Sequence, residues 1–377
     1  MPVNEENEML ISPVQPNDPR GELIRLTAVI ICDEAPMANK AVLNCVEETC
    51  RRVMRNELLF GGKIFVSLGD FRQTCPVIRR GSKAQVIDAS IKSCPFWNRL
   101  RIYHLTRHCR NAEDPAFARF VDAIGDGAGP QVSLDMLKRV TDMEDVIAYI
   151  YPSTILQSPR HCLKRSILAP TNRQVNVYND IILTRVQGEE RIYMAADSLK
   201  EVNAAGLVSP ASALDFAAKQ TPPGLPSHTL TIKTNAIYRL LRNFSLDRGL
   251  VKNVRVIVTE LGNRLITVRL IRNRDGEPDT YGEELLIPRI SFSHTLQSGH
   301  TLLRRQYPFA PGYATTFNSC QGLNLDAVGA DLTYPVFSHG QLYTAVSRIR
   351  NHTNAIVRLR PGELTTLNVT YPELLLS

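Results

Sequence analysis

Several common signatures are missing from this 377-residue sequence. No run approaches the roughly 18 consecutive apolar residues of a membrane span, so a membrane-spanning helix is not expected. The eight cysteines, Cys32, Cys45, Cys50, Cys75, Cys94, Cys109, Cys162 and Cys320, form no Cys-x-x-Cys pair. That excludes a zinc ribbon, a structural zinc site of the usual spacing and a thioredoxin-like site. Reduced, buried thiols are the simpler expectation and suit the cytosol or nucleus. No unit of roughly 20 to 50 residues recurs, so a repeat array is excluded. A secretory leader would open on basic and then apolar residues, whereas Glu5, Glu6 and Glu8 stand there instead. An intracellular protein, not a secreted precursor, is expected.

What is present suffices for two to three domains with ordinary cores, since 44% of residues are hydrophobic. The net charge is +7, and it is unevenly spread. Residues 1–155 carry 19 Lys+Arg and 20 Asp+Glu; residues 156–377 carry 25 and 17. A basic surplus on one half points to a polyanion such as nucleic acid, and equally fits a solvated face.

Short β-branched runs alternate with helical patterns. Residues 26–31, 63–68 and 101–105 read as strands buried on both faces. Between the first two, residues 38–55 place Val42, Cys45, Val46, Cys50 and Val53 on one helical face. That is a strand, helix, strand pattern with parallel-sheet logic. A second block has strands at 166–169, 327–332 and 354–359, with helices at 171–186 and 338–349. Residues 236–292 hold short strands at 254–259, 264–271 and 284–287, broken by Gly262, Asn263 and Asp275-Gly276, and fit a small inserted barrel. Residues 195–227, rich in Ala, Ser, Pro and Gly, read as an irregular connection.

The strongest local signal is Val29 to Ile31, then Cys32-Asp33-Glu34-Ala35-Pro36-Met37. Two adjacent carboxylates at the end of an apolar strand are what a nucleotide hydrolase uses: one to hold Mg²⁺, one to orient or deprotonate water. An ordinary polar turn would look the same. The next strand ends in Gly69-Asp70-Phe71-Arg72-Gln73, so adjacent parallel strands would present polar residues at one sheet edge, where ligands bind in α/β proteins.

With Phe60-Gly61-Gly62-Lys63 and Thr74-Cys75-Pro76-Val77, these residues resemble the petite-integration-frequency (PIF-type) DNA helicases of superfamily one, most nearly the branch carried by Helitron transposons. Further matches follow in order: residues 105–110, 168–172, 223–226 and 240–243, Phe317-Asn318 with Gln321-Gly322, and residues 337–348. The resemblance runs from about Gly21 to Asn351. It implies an α/β fold of two RecA-like P-loop NTPase domains, the first incomplete (1–155), the second made of 156–235 and 293–377 with a small β-barrel insertion at 236–292. It implies ATP and Mg²⁺ as cofactors and single-stranded DNA or duplex junctions as partners, with 5′ to 3′ unwinding in DNA repair, recombination, telomere maintenance or Helitron transposition in the nucleus. Asp33 would bind Mg²⁺, Glu34 would be the catalytic carboxylate, and Gln73 would contact the γ-phosphate. Arg110 and Arg348, the latter on a helix of the second domain, would serve as arginine fingers. Thr171, Asn172, Thr316, Asn318, Gln321 and His339 are the DNA-binding candidates, although Thr171 equally suits a helix cap and His339 an internal polar contact. Phe71 or Trp97 would suit base stacking, and Trp97 equally a core.

One element of that chemistry is missing. A loop of the form GxxxxGK[ST], whose backbone cradles phosphates, occurs nowhere in these 377 residues. Gly61-Gly62-Lys63-Ile64 lacks the hydroxyl residue and runs into a strand. In the resembled family the loop precedes the acidic pair, and only 32 residues precede Asp33 here, so an N-terminally truncated helicase of negligible activity is the expectation. The alternative is a non-catalytic helicase remnant that binds nucleic acid or another protein. Smaller departures are His108-Cys109, Ser319, Asn324 and the turn Asn253-Val254, where Val replaces a glycine suited to φ > 0. An RNA helicase of the Asp-Glu-Ala-Asp class is disfavoured, because Pro36 replaces the second Asp.

Overall fold

The computed structural model describes residues 10–78, 81–107, 109–200, 216–222, 224–272, 280–296 and 300–376. The chain forms two compact units. One comprises Met1–Met136, Tyr334–His352 and Gly362–Ser377; the other comprises Leu137–Thr333 and Thr353–Pro361.

The first unit is built around two parallel strands, Val29–Cys32 and Ile64–Ser67, with Ile30 opposite Phe65 and Ile31 opposite Val66. The run expected to begin the first strand at Leu26 instead closes a helix, Pro19–Leu26. Asp18 caps that helix by accepting from Gly21 N, and a proline stands in its first turn. Helix Lys40–Met54 starts at the Asn39 cap and stops at Arg55, which takes the left-handed conformation at φ 54°. Leu43 and Cys50 from this helix pack with Ala35, Phe60, Ile91, Cys94 and Phe96, and Ile30, Cys32 and Phe65 lie against that cluster. Phe60 and Phe65 stack at 4.1 Å.

The expected burial on both faces fails here. The opposite face of the pair, Val29, Ile31, Ile64 and Val66, is open, with Ile31 65% exposed. A parallel sheet is covered twice only where helices pack on both sides, and among the described residues this helix covers one. Residues 101–105 form no strand, and Leu105 is 95% exposed.

The second unit contains a five-stranded parallel sheet ordered Ala314–Thr316, Arg165–Ala169, Ala327–Asp331, Ala355–Arg358, Lys138–Val140. The strands at 165, 327 and 355 stand where the sequence pattern put them. Because Lys138–Val140 pairs with Ala355–Arg358, this unit takes up residues before 156. Helix Asn172–Arg185 contributes Val175, Tyr178 and Ile182 to a core that also holds Tyr151, Tyr238, Phe309 and Tyr313. Asn179 fixes the strand end beside it: its Oδ1 accepts from Tyr313 N (3.0 Å) and Ala314 N (2.8 Å), and its Nδ2 donates to Ala314 O.

The β-rich stretch forms an antiparallel sheet in the linear order Thr280–Pro288, Leu265–Arg272, Arg255–Leu261, Ile237–Leu240, Phe309–Pro311. Among the described residues these strands pair in that linear order. Residues 195–227 are not wholly irregular, since Ala196–Lys200 pairs with Thr301–Gln306, which also pairs with Ile290–Thr295. In the turn before Arg255–Leu261 the positive φ, 70°, falls on Asn253. Valine at 254 therefore costs nothing there, and asparagine tolerates the left-handed region. The turn at Asp275-Gly276, His108, and Pro223 of the 223–226 motif lie outside the described residues. Among the described residues no helix is long and apolar enough to cross a membrane.

Candidate functional site

The two strands of the first unit release their polar ends side by side. Leu68 N donates to Cys32 O and Ala35 N to Leu68 O, both at 2.9 Å, so pairing continues past the strands and brings residues 33–35 next to 68–70. Glu34 sits in the left-handed region at φ 49°, ψ 37°. A non-glycine residue held there costs about 1–3 kcal/mol and persists only where its surroundings impose it. Asp33 Oδ1 accepts from Glu34 N at 2.9 Å. Gly69 is required by contact: a Cβ would lie 2.2 Å from Pro36 Cδ. Gly69→Ala is expected to cost about 1–3 kcal/mol by overpacking, read as a lower urea midpoint.

Arg348, expected on a helix of the second domain, lies in the compact unit that holds Glu34. Its helix is short, Gln341–Val346, because Gly340 at φ 69° interrupts the chain before it. The Arg348 side chain is held by Nε to Thr344 O (3.2 Å) and Nη2 to Ser347 Oγ (3.1 Å), with the residue only 2% exposed. Arg110 Nη1 donates to Ser347 O at 2.8 Å, and Asn111 Nδ2 to Ile349 O and Arg350 O.

Glu34 lies within the electrostatic reach of both guanidinium groups. Partial burial raises its pKa, Arg348 and Arg110 pull the other way, and Asp33 and Asp70 add to the rise; the net effect is a less acidic carboxyl. Burial and the neighbouring Arg348 lower the pKa of Arg110. The two arginines thus repel one another near a Glu34 carboxyl whose acidity Asp33 and Asp70 help to weaken.

The loop carrying Gln73 is clamped to the Gln341–Val346 region. Thr74 N donates to Thr344 Oγ1 at 3.1 Å, Tyr343 OH donates to Asp70, and Arg72 Nη1 bridges to Asp122 at 2.8 Å with its guanidinium 4.9 Å from the Tyr343 ring. A Cβ on Gly340 would stand 2.5 Å from the carbonyls of Arg72 and Gln73. Burial first, and Asp70 next, keep Tyr343 protonated as the donor. Phe71 and Trp97 pack edge to face at 5.5 Å inside this unit.

His339 does not fit the DNA role expected of it. It is fully buried, its Nδ1 accepts from Tyr371 N and its Nε2 donates to Phe71 O, both at 2.9 Å. Both ring nitrogens are spent inside the protein, which fixes the tautomer and leaves nothing to offer a phosphate. Tyr343, Thr344 and Asn111, to which the sequence reading gave no role, hold these segments together. Their only signal was adjacency to Arg348 and Arg110.

The remaining DNA candidates gather in the second unit. Thr316 is the register partner of Ala169, and Phe317 N donates to Ala169 O. Thr171, Asn172, Thr316, Asn318 and Gln321 thus follow the carboxyl ends of two adjacent parallel strands, the usual ligand edge of such sheets. Thr171 caps the helix, with Oγ1 accepting from Gln174 N and donating to Gln174 Oε1. Thr316 Oγ1 donates to Ser319 Oγ.

The class is a mixed α/β fold that matches the cores of solved Pif1 helicases, with parallel sheets consistent with RecA-like domains. The chain superimposes on Bacteroides Pif1 in complex with ADP-AlF3 and ssDNA with a TM-score of 0.66 at 20% identity, covering 98% of this chain and 78% of that one. On the Candida albicans Pif1 helicase the TM-score is 0.60 at 20% identity, covering 92% and 76%. More particularly, residues 1–133 match the model of the PIF1-like helicase family. The chain is 27% identical over 333 residues to the ATP-dependent DNA helicase PIF1 of Danio rerio, covering 85% of this chain and 45% of that protein. It spans less than half the length of that relative.

Proposed function

We propose that this chain carries the motor core of an ATP-dependent DNA helicase of the PIF type. The observation supporting this most directly is that Arg348 and Arg110 lie within electrostatic reach of Glu34 in one unit. Two mutually repelling guanidiniums would gain from the negative charge of a triphosphate, and Mg²⁺ would offset the nearby carboxylates of Asp33, Glu34 and Asp70. Among the described residues no cluster of three or more His, Cys, Asp or Glu side chains is placed to hold a metal. That suits Mg²⁺, which is held mainly by phosphate oxygens and water with one or two carboxylates; Asp33 is the ligand assigned here. Bound Mg²⁺-ATP supplies the phosphoryl group and the charge neutralisation. Glu34, less acidic than an exposed carboxyl, orients and deprotonates water. Arg348 and Arg110 face the charge on the phosphates, and Gln73 reports it to the clamped loop. Thr171, Asn172, Thr316, Asn318 and Gln321 contact the DNA backbone. The two units act as two RecA-like domains, the first incomplete. A nuclear role in genome maintenance or Helitron transposition, on single-stranded DNA with 5′ to 3′ polarity, completes the reading.

The absence of GxxxxGK[ST] from these 377 residues sets the first test. A coupled ATPase assay is expected to show negligible turnover with or without single-stranded DNA, while the chain still retains DNA. Robust DNA-stimulated turnover would refute the inactivity, and failure to retain DNA would refute the helicase reading.

The same missing loop favours a second reading, a nucleic-acid-binding remnant without motor chemistry. Appending a strand, GxxxxGK[ST] loop and helix ahead of the chain separates the two. The motor reading expects DNA-stimulated hydrolysis that Glu34→Gln abolishes; the remnant reading expects DNA binding alone.

A further inference from the structure

The second unit holds a cavity of about 520 Å³ lined by Ala218, Lys219, Thr221, Ser227, His228 and Thr229. Its described lining offers one ammonium, one imidazole and three hydroxyls, and no carboxylate. One cationic donor and several groups able to donate converge there without a carboxylate among them, a composition that suits an oxyanion.

The walls are braced from behind. Arg304 is fully buried and grips Asp197 through two bonds, Nε to Oδ1 at 2.9 Å and Nη2 to Oδ2 at 2.8 Å. Its remaining donors go to the carbonyls of Ala217 (3.0 Å), Gln220 (2.9 Å) and Pro226 (3.0 Å). One side chain thus ties both segments lining the cavity, 217–221 and 226–229, to strand Thr301–Gln306. Asp197 stays ionised: burial opposes its charge, but the bonds from Arg304 and His228 outweigh it. His228 Nδ1, 2.9 Å from Asp197 Oδ2, must therefore be the donor in that bond. Nε2 is the ring nitrogen left for a ligand. The negative charge of Asp197 is matched by Arg304 and does not oppose an incoming anion.

We propose that this cavity is a phosphate-oxyanion subsite, with Lys219 supplying the charge, the hydroxyls of Thr221 and Ser227 the hydrogen bonds, and His228 a further donor through Nε2 in its imidazolium form. The ligand is a phosphate group, whether a phosphodiester of a nucleic-acid backbone or free phosphate. The site lies within one unit and stands whether or not the chain hydrolyses ATP.

The test titrates the full chain with inorganic phosphate at constant ionic strength, balanced with chloride. The His228 ring is followed by ¹H–¹³C NMR and assigned from the spectrum of His228→Gln. A saturable shift is expected, weakened at least about tenfold in Lys219→Met, which removes an exposed charge and leaves the fold intact. A parallel arm uses an eight-residue oligothymidylate. If the oligonucleotide shifts the same ring and is displaced by phosphate, the source is the nucleic-acid backbone; if only phosphate acts, the source is free phosphate. No saturable shift with either probe, an equal shift with chloride, or an unchanged response in Lys219→Met would overturn the proposal.

Discussion

Replacing Arg304 by alanine is expected to destabilise the second unit by about 3–5 kcal/mol, the cost of leaving a buried carboxylate without its partner. Arg304 is fully buried and the Asp197 side chain only 5% exposed. The truncation removes both bonds to Asp197 and three to backbone carbonyls. Equilibrium urea unfolding would show it as a large drop in midpoint. The double replacement Arg304→Met with Asp197→Leu should recover much of the loss, because well-packed apolar groups can substitute for a buried ion pair at little cost. A single-variant loss under about 1 kcal/mol, in the range of an exposed pair, would show that the pair is not desolvated as described.

His339→Ala should have the second-largest effect. It strands two partly buried backbone groups, Phe71 O and Tyr371 N, at up to about 1–3 kcal/mol each, and frees the loop carrying Gln73. His339→Gln, whose amide can both donate and accept, should restore part of the stability. The pH dependence supplies a second readout. Burial lowers the pKa of His339 below its ordinary 6.5, although the bond to Phe71 O, Asp70 and Glu373 act to raise it. Below 6.5 the unfolded chain takes up a proton that the folded ring refuses. The stabilisation is therefore complete above that pH and declines as pH falls from 6.5 toward the folded-state value. His339→Gln should abolish that portion of the acid slope in denaturation midpoints measured between pH 5 and 8. An unchanged slope would mean that the ring is protonated in the folded state.

The polar sheet edge was legible because its signal is local. An apolar run that stops at Asp33-Glu34, and another that stops at Gly69-Asp70, mark strand ends without reference to anything distant. The helix at 172–185 was legible for the same reason, through its Thr171 cap and its apolar period. Residues 101–105 misled, since an alternating apolar stretch looks the same whether or not another strand lies beside it. His339 misled differently: a histidine near a glycine and a glutamine has the composition of a ligand site, and only burial shows both its nitrogens occupied.

By itself the sequence determined the chemical types available: the paired carboxylates at a strand end, the arginines of the ordered motifs, and the lack of a GxxxxGK[ST] loop. Tertiary structure alone decided which of them meet. Arg348, more than 300 residues beyond Glu34 in the chain, shares a compact unit with it because Ser347 and Thr344 bind Arg110 and Thr74. Asp197, read as part of an irregular connection, became the partner of a buried arginine because its strand pairs with Thr301–Gln306. Such encounters depend on non-local hydrogen bonds and desolvation, whose energies arise from packing and have no counterpart in local residue patterns.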